Sequence, residues 1–175
     1  MKVIIGAEKE ASADWMATTT NELDPIDIKS FYTFFKKPSS VDAFLLEHIL
    51  EHYTLEEGKI IANNLYEFLK VGGYARVAVP DINFHNKAYY ERAKVGGPGP
   101  ASTHKVFFDY KTLTSLFEEA GFKVDLLEYC DEKGRFHFND WKKEDGMVER
   151  SYRYSFENKK DSINMLSIII DAYKR

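Results

Sequence analysis

Val41-Asp42-Ala43-Phe44-Leu45-Leu46, Thr54-Leu55-Glu56-Glu57 and Tyr74-Ala75-Arg76-Val77-Ala78-Val79-Pro80-Asp81 decide the fold. The first is a mostly apolar run, as expected of a strand covered on both faces in a parallel sheet. The second is a capping box, a threonine cap with a glutamate three residues later. Ile60, Ile61, Asn64, Leu65, Phe68 and Leu69 then recur at helical spacing. Gly72-Gly73 is expected to end that helix. The third run alternates until proline halts it, so it reads as a strand. Strand, helix and strand in this order predict that 41–46 and 74–79 are neighbouring parallel strands.

Working outward, Val3-Ile4-Ile5-Gly6 is another apolar run, stopped by glycine, and Trp15 to Thr18 reads as a short strand. Asp27 is placed to cap a helix carrying Ile28, Phe31, Phe34 and Phe35 on one face. Downstream, Ala88 to Ala93 is a short helix candidate, followed by the turn-rich Gly96-Gly97-Pro98-Gly99-Pro100. Leu113, Leu116, Phe117 and Ala120 form a helical stripe that stops at Gly121, and Phe122 to Cys130 is a strand. Residues 131–150 read as a charged loop. Ser151 to Phe156 and Ile163 to Tyr173 read as strands of an antiparallel hairpin joined at Asn158–Asp161. The whole predicts an α/β fold, a mostly parallel sheet with helices on both faces and a C-terminal antiparallel hairpin. Ligands of such sheets bind beyond the carboxyl ends of the strands. Here those ends are Gly6-Ala7-Glu8, Glu47-His48 and Pro80-Asp81.

The 175 residues suit one domain spanning 1–175, with 44% hydrophobic and 30% charged residues. A chain of this size buries roughly two thirds of its unfolded surface and needs no staple. The formal charge of -4 argues against nucleic acid as a partner. The single Cys130 excludes an internal disulfide and every multi-cysteine metal framework, and reads as a packed strand thiol. No apolar run approaches the roughly 20 residues of a membrane span, and the start does not resemble a signal peptide. A cytoplasmic protein is the expectation, and the aromatic content allows a homodimer.

Ser40 to His52 resembles the fourth strand and following loop of class I S-adenosylmethionine-dependent methyltransferases. Leu69-Lys70-Val71-Gly72-Gly73 with the strand to Asp81 resembles their "LKPGG" turn and fifth strand, and Ala120-Gly121-Phe122 resembles their "AGF" helix stop. His104-Lys105 and the stretch Phe136 to Trp141 resemble a subgroup of small bacterial predicted methyltransferases. The resemblance implies a Rossmann-like sheet and S-adenosylmethionine as cofactor. It also implies methyl transfer to a small molecule or glycan precursor. Gly6, Ala7, Glu8, Leu46 and Glu47 would hold the methionine end, and Thr19 and Asp24 the ribose. His48 would face the acceptor, with His104, Lys105, His137 and Trp141 as an acceptor rim.

The chain departs from that pattern at the donor site. Glu8 stands where the second glycine of the turn is usual, and a carboxylate there would crowd the cofactor. Thr19 stands in place of the ribose-binding acid, with Glu22 or Asp24 as substitutes. About 36 residues separate Ile5 from Val41, so the first half of the fold is expected to be shortened. A domain that has lost the cofactor and serves as a binding or regulatory module is therefore a second reading. A third is a metal-dependent hydrolase, because His48-Ile49-Leu50-Glu51-His52 matches an H-x-x-E-H signature. That chemistry requires both imidazoles on one metal with Glu51 as base. Arg150 and Arg153 are expected on the surface.

Overall fold

The computed structural model describes residues 1–7 and 14–175. The strands are β1 (Lys2–Ile5), β2 (Trp15–Thr18), β3 (Val41–Glu47), β4 (Leu69–Pro80), β5 (Lys123–Cys130), β6 (Phe136–Phe138) and β7 (Ser167–Tyr173). The α-helices are α1 (Ile28–Phe35), α2 (Leu55–Phe68), α3 (Lys87–Ala93) and α4 (Tyr110–Glu119). One seven-stranded sheet has the order β2-β1-β3-β4-β7-β5-β6. β1 is parallel to β2 and β3, and β3 is parallel to β4 with Leu45 opposite Arg76. β7 lies antiparallel between β4 and β5, and β6 pairs antiparallel with β5 at the edge. Among the described residues, the short first half holds β2 and the eight-residue α1 between β1 and β3.

Strand alternation sorts the core into two layers. Ile5, Phe44, Leu46, Val77 and Ile170 point to one face and meet Phe31 of α1, Leu65 and Phe68 of α2 and Phe117 of α4. Burying each such side chain contributes roughly 1.5–3 kcal/mol. α2 starts at the capping box as the sequence predicts, with Thr54 and Glu57 bonding reciprocally. Asn64 sits within its buried stripe because its amide donates to the carbonyls of Pro25 and Ile26.

On the other face Ile4, Ala43, Leu45, Ala78 and Ile169 meet Trp15, Trp141 and Val148. Among the described residues this second core contains no α-helical side chain, so the expected helices on both faces are replaced by helices on one. An irregular strap, residues 139–154, covers the other. Its polar groups are spent on anchoring it. Arg76 Nη1 donates to the carbonyls of Lys142 and Gly146, Tyr74 Oη to that of Asp145, and Trp141 Nε1 to Glu128.

Three local expectations are corrected. Residues 151–156 are turns and not a hairpin strand. β7 is hydrogen-bonded to β4 on one side and β5 on the other, which leaves no edge for 151–156 to pair with, and Phe156 is 94% exposed. Gly72-Gly73 does not end α2, which stops at Phe68, but lies in a bulge of β4. The register slips there between Val41 and Ala43, Gly72 N–H donates to Lys174 O, and Lys174 N–H donates to Gly73 O. A Cβ on Gly73 would lie 2.8 Å from Asp42 O, so the crossing excludes a side chain. Phe136-His137-Phe138, read as loop, is β6. No helix among the described residues is long and apolar enough to cross a membrane.

Candidate functional site

The carboxyl ends of β1, β3 and β4 open into a cavity of about 770 Å³. Ile4, Ile5, Gly6, Ala7 and Leu45 line its sheet side. The loop 47–52, α3, the turn 99–104 and the strap residues Met147, Glu149 and Arg150 form its walls.

Gly6 turns the chain at the end of β1. Its φ is +78°, where a side chain is strained. A Cβ there would lie 2.3 Å from Ile49 Cδ1. The N–H groups of Gly6 and Ala7 both donate to Thr18 O, at 2.8 and 3.0 Å. Glu8 lies outside the described residues.

Thr19 and Asp24 do not reach the cavity. Thr19 donates its N–H and hydroxyl to Glu22 Oε2 at 2.8 and 3.0 Å, and these bonds hold the Glu22 carboxyl below its usual value. Asp24 Oδ1 accepts from Ile26 N–H, and Asp24 N–H donates to Ser30 Oγ, which builds the turn before α1. Leu46 is a second correction. It is fully buried toward the helices, and alternation along β3 puts Leu45 on the cavity instead. Glu47 does line the cavity. Its carboxylate accepts from the N–H groups of Glu149 and Arg150 at 3.0 and 2.8 Å and so clamps the strap. Burial raises its pKa against those bonds.

His48 follows in the left-handed region, φ +52°. Its N–H donates to Ala78 O at 2.9 Å and its Nε2 lies 2.8 Å from Ser167 Oγ. Burial holds its imidazole well below the usual pKa, so it is neutral. Its Nδ1 is 3.5 Å from Glu51 Oε1. Glu51 is 1% exposed, neither carboxylate oxygen has a hydrogen-bond partner, and burial pushes its pKa up to about 8. His52 and His104 pack edge to face, ring centroids 4.7 Å apart, against the same carboxylate.

The rest of the expected acceptor rim lies elsewhere. Lys105 turns away from the cavity to pair with Glu57 at 3.0 Å. His137 stacks on Tyr129 at the β5–β6 edge, 3.0 Å from Asp131. Trp141 does not reach the cavity either. It is buried in the second core, with the guanidinium groups of Arg76 and Arg153 over its ring. Of that rim only His104 reaches the cavity. Arg92 and Arg150 also line it. Neither was singled out from the sequence as a site residue, and no local pattern marks them. Glu51 was visible as the acid of H-x-x-E-H. The structure groups it with His52 and His104, while His48 is tied to Ser167.

No protein-family model matches the chain, and no curated protein matches it. Solved structures do. A SAM-dependent methyltransferase from Archaeoglobus fulgidus superposes with a TM-score of 0.56 and 15% identity over 99% of this chain and 85% of that one. One from Methanosarcina mazei gives 0.53 and 15% over 99% and 91%. One from Thermotoga maritima gives 0.52 and 17% over 99% and 81%. The fold is that of the class I S-adenosylmethionine-dependent methyltransferases.

Proposed function

We propose that the chain is an S-adenosylmethionine-dependent methyltransferase acting on a small molecule or glycan precursor. The observation that carries this is the Gly6 turn at the mouth of the cavity, in a fold shared with such enzymes. A side chain there would be strained at φ +78° and would meet Ile49, so the turn keeps its backbone bare at the strand ends where this sheet type binds ligands. Gly6, Ala7 and Leu45 would hold the methionine end, and Arg150, which lies 3.6 Å from Glu47, would offer a cation to the methionine carboxylate. The described residues supply no acid at the ribose end, because Thr19 and Glu22 are closed on each other. The cofactor supplies a sulfonium-bound methyl group for in-line displacement, which calls for proximity and orientation rather than a nucleophile. Neutral His48 lines the cavity beside Glu51 and would face the acceptor. A volume of about 770 Å³ falls in the range of small-ligand pockets, and the guanidinium groups of Arg92 and Arg150 on its wall would suit an anionic or sugar-like acceptor.

A second reading, the fold serving as a binding module, is favoured by the oxygens of Thr19, Glu22 and Asp24 being spent on local turns. Calorimetry with S-adenosylhomocysteine separates the two. Replacing a charged hydrogen-bond acceptor by a neutral one weakens binding by roughly an order of magnitude. Micromolar binding is therefore expected. Absence of heat and of thermal shift up to millimolar ligand selects the binding module.

A further inference from the structure

The cluster around Glu51 gathers more acceptors than donors. His104 Nδ1 lies 2.8 Å from Ala93 O, which can only accept, so Nδ1 carries the ring proton and Nε2 is bare. That bare nitrogen is 3.9 Å from Glu51 Oε1. His52 Nδ1 lies 2.8 Å from Thr103 Oγ1. Thr103 gives its one hydroxyl proton to Pro100 O at 3.0 Å, so it accepts from His52, whose Nε2 is therefore bare. The same reasoning applies at His48. Ser167 Oγ donates to Arg150 O at 2.8 Å and accepts from His48 Nε2, leaving Nδ1 bare toward Glu51. Bare nitrogens of His48 and His104 thus face a buried carboxylate whose oxygens lack a hydrogen-bond partner, against the rule that buried polar groups are satisfied.

A proton on Glu51 could serve one neighbour only. The imidazole nitrogens beside it, at 3.5 and 3.9 Å, stand beyond the usual hydrogen-bond length. A cation serves several donors at once. We propose that Glu51, His52 and His104 bind a divalent transition-metal ion of the Zn²⁺ or Co²⁺ class on the inner wall of the cavity.

One donor atom from each of these residues lies within 4.8 Å of the others. Tetrahedral zinc with bonds of about 2.0–2.1 Å needs donor separations of about 3.3 Å. Closing that gap requires small side-chain adjustments, chiefly of Glu51, with His52 kept on Thr103. Each imidazole already has its far nitrogen held by an oxygen, the arrangement that orients metal-binding histidines. Two imidazoles and a carboxylate suit these ions. All three residues line the cavity, so an ion could enter the site from it. His48 stays outside the ligand set because it is not among the residues whose donor atoms all lie within 4.8 Å of one another. The site rests on these atoms alone and is independent of methyl transfer.

The test is titration of chelator-treated protein with Co²⁺ and Zn²⁺, followed by calorimetry, melting temperature and the visible spectrum of bound Co²⁺. The expected result is one ion per chain, tetrahedral Co²⁺ bands and a raised melting temperature. His52→Ala, His104→Ala and Glu51→Gln should each weaken binding at least 10-fold, and His137→Ala should leave it unchanged. If His104→Ala fails to fold for want of the Ala93 bond, His52→Ala and Glu51→Gln decide. Absence of stoichiometric binding at millimolar metal, or binding that survives both of those variants, overturns the proposal. So does a protonated-carboxyl infrared band that vanishes in Glu51→Gln yet persists in the parent chain under saturating Zn²⁺, because a proton then fills the site.

Discussion

Gly6 shows how one residue ties the backbone to the site. Its left-handed φ of +78° and the Ile49 methyl 2.3 Å from a notional Cβ leave no room for another residue without adjustment. Gly6→Ala should cost about 1–2 kcal/mol of stability in urea denaturation, the usual penalty for a left-handed alanine, and should abolish the heat of S-adenosylhomocysteine binding. Asp81, at the end of β4, is a second local device. Its carboxylate accepts from Asn83 N–H at 2.9 Å and Cys130 N–H at 2.6 Å, which joins the ends of β4 and β5. Burial outweighs these bonds and pushes its pKa up to about 6, from 3.8. Between those values the folded chain keeps a proton that the unfolded chain has released. Its contribution is therefore complete below about pH 3.8 and is lost as pH rises to about 6, on the order of 3 kcal/mol in all. Carbon-detected NMR should show Asp81 titrating near 6, and a midpoint below 4 would contradict this balance.

Among the elements, β4 and β7 are locked by a buried ion pair. Arg76 and Asp171 stand opposite each other in register, with Nε and Nη2 each 2.8 Å from a carboxylate oxygen. Arg76 also holds the strap through its other nitrogen. Removing one partner of a buried pair typically costs about 3–5 kcal/mol. Arg76→Ala should lose that much in urea denaturation, and Arg76→Met with Asp171→Leu should lose clearly less. A loss under 1 kcal/mol for Arg76→Ala would show that solvent reaches the pair. β3, α2 and the parallel β3–β4 pairing were legible because a capping box and continuous apolar runs are local signals. The strand expected at 151–156 was not. Its alternating Tyr and Phe have the propensity of a strand, but propensity does not say whether a sheet has an edge to offer.

Across the whole molecule, β7 closes the sheet from the far end of the chain. It is hydrogen-bonded on both sides, and Ile168, Ile169 and Ile170 feed both cores. A chain ending before Ser167 should lose cooperative unfolding and dispersed amide resonances, because β5 and β6 would have no partner joining them to β4. A folded truncated chain would show that the parallel half stands alone. The candidate site is assembled at the same scale. The periodicity and turn signals of the chain were enough for the individual strands and helices and the glycine turn after β1, which depend on nearby residues, and the strand–helix–strand order then implied the parallel pairing. Which side chains meet in the cavity depended on packing between distant segments. His104 comes to Glu51 from beyond α3. Arg150 arrives on a strap that Glu47 clamps, and Trp141 is drawn under the sheet by Glu128 and Arg76. Lys105 and His137, of the same residue types, are turned elsewhere by Glu57 and Asp131. Such choices are made by three-dimensional hydrogen bonding and burial between segments far apart in the chain, which a linear pattern of residue types does not encode.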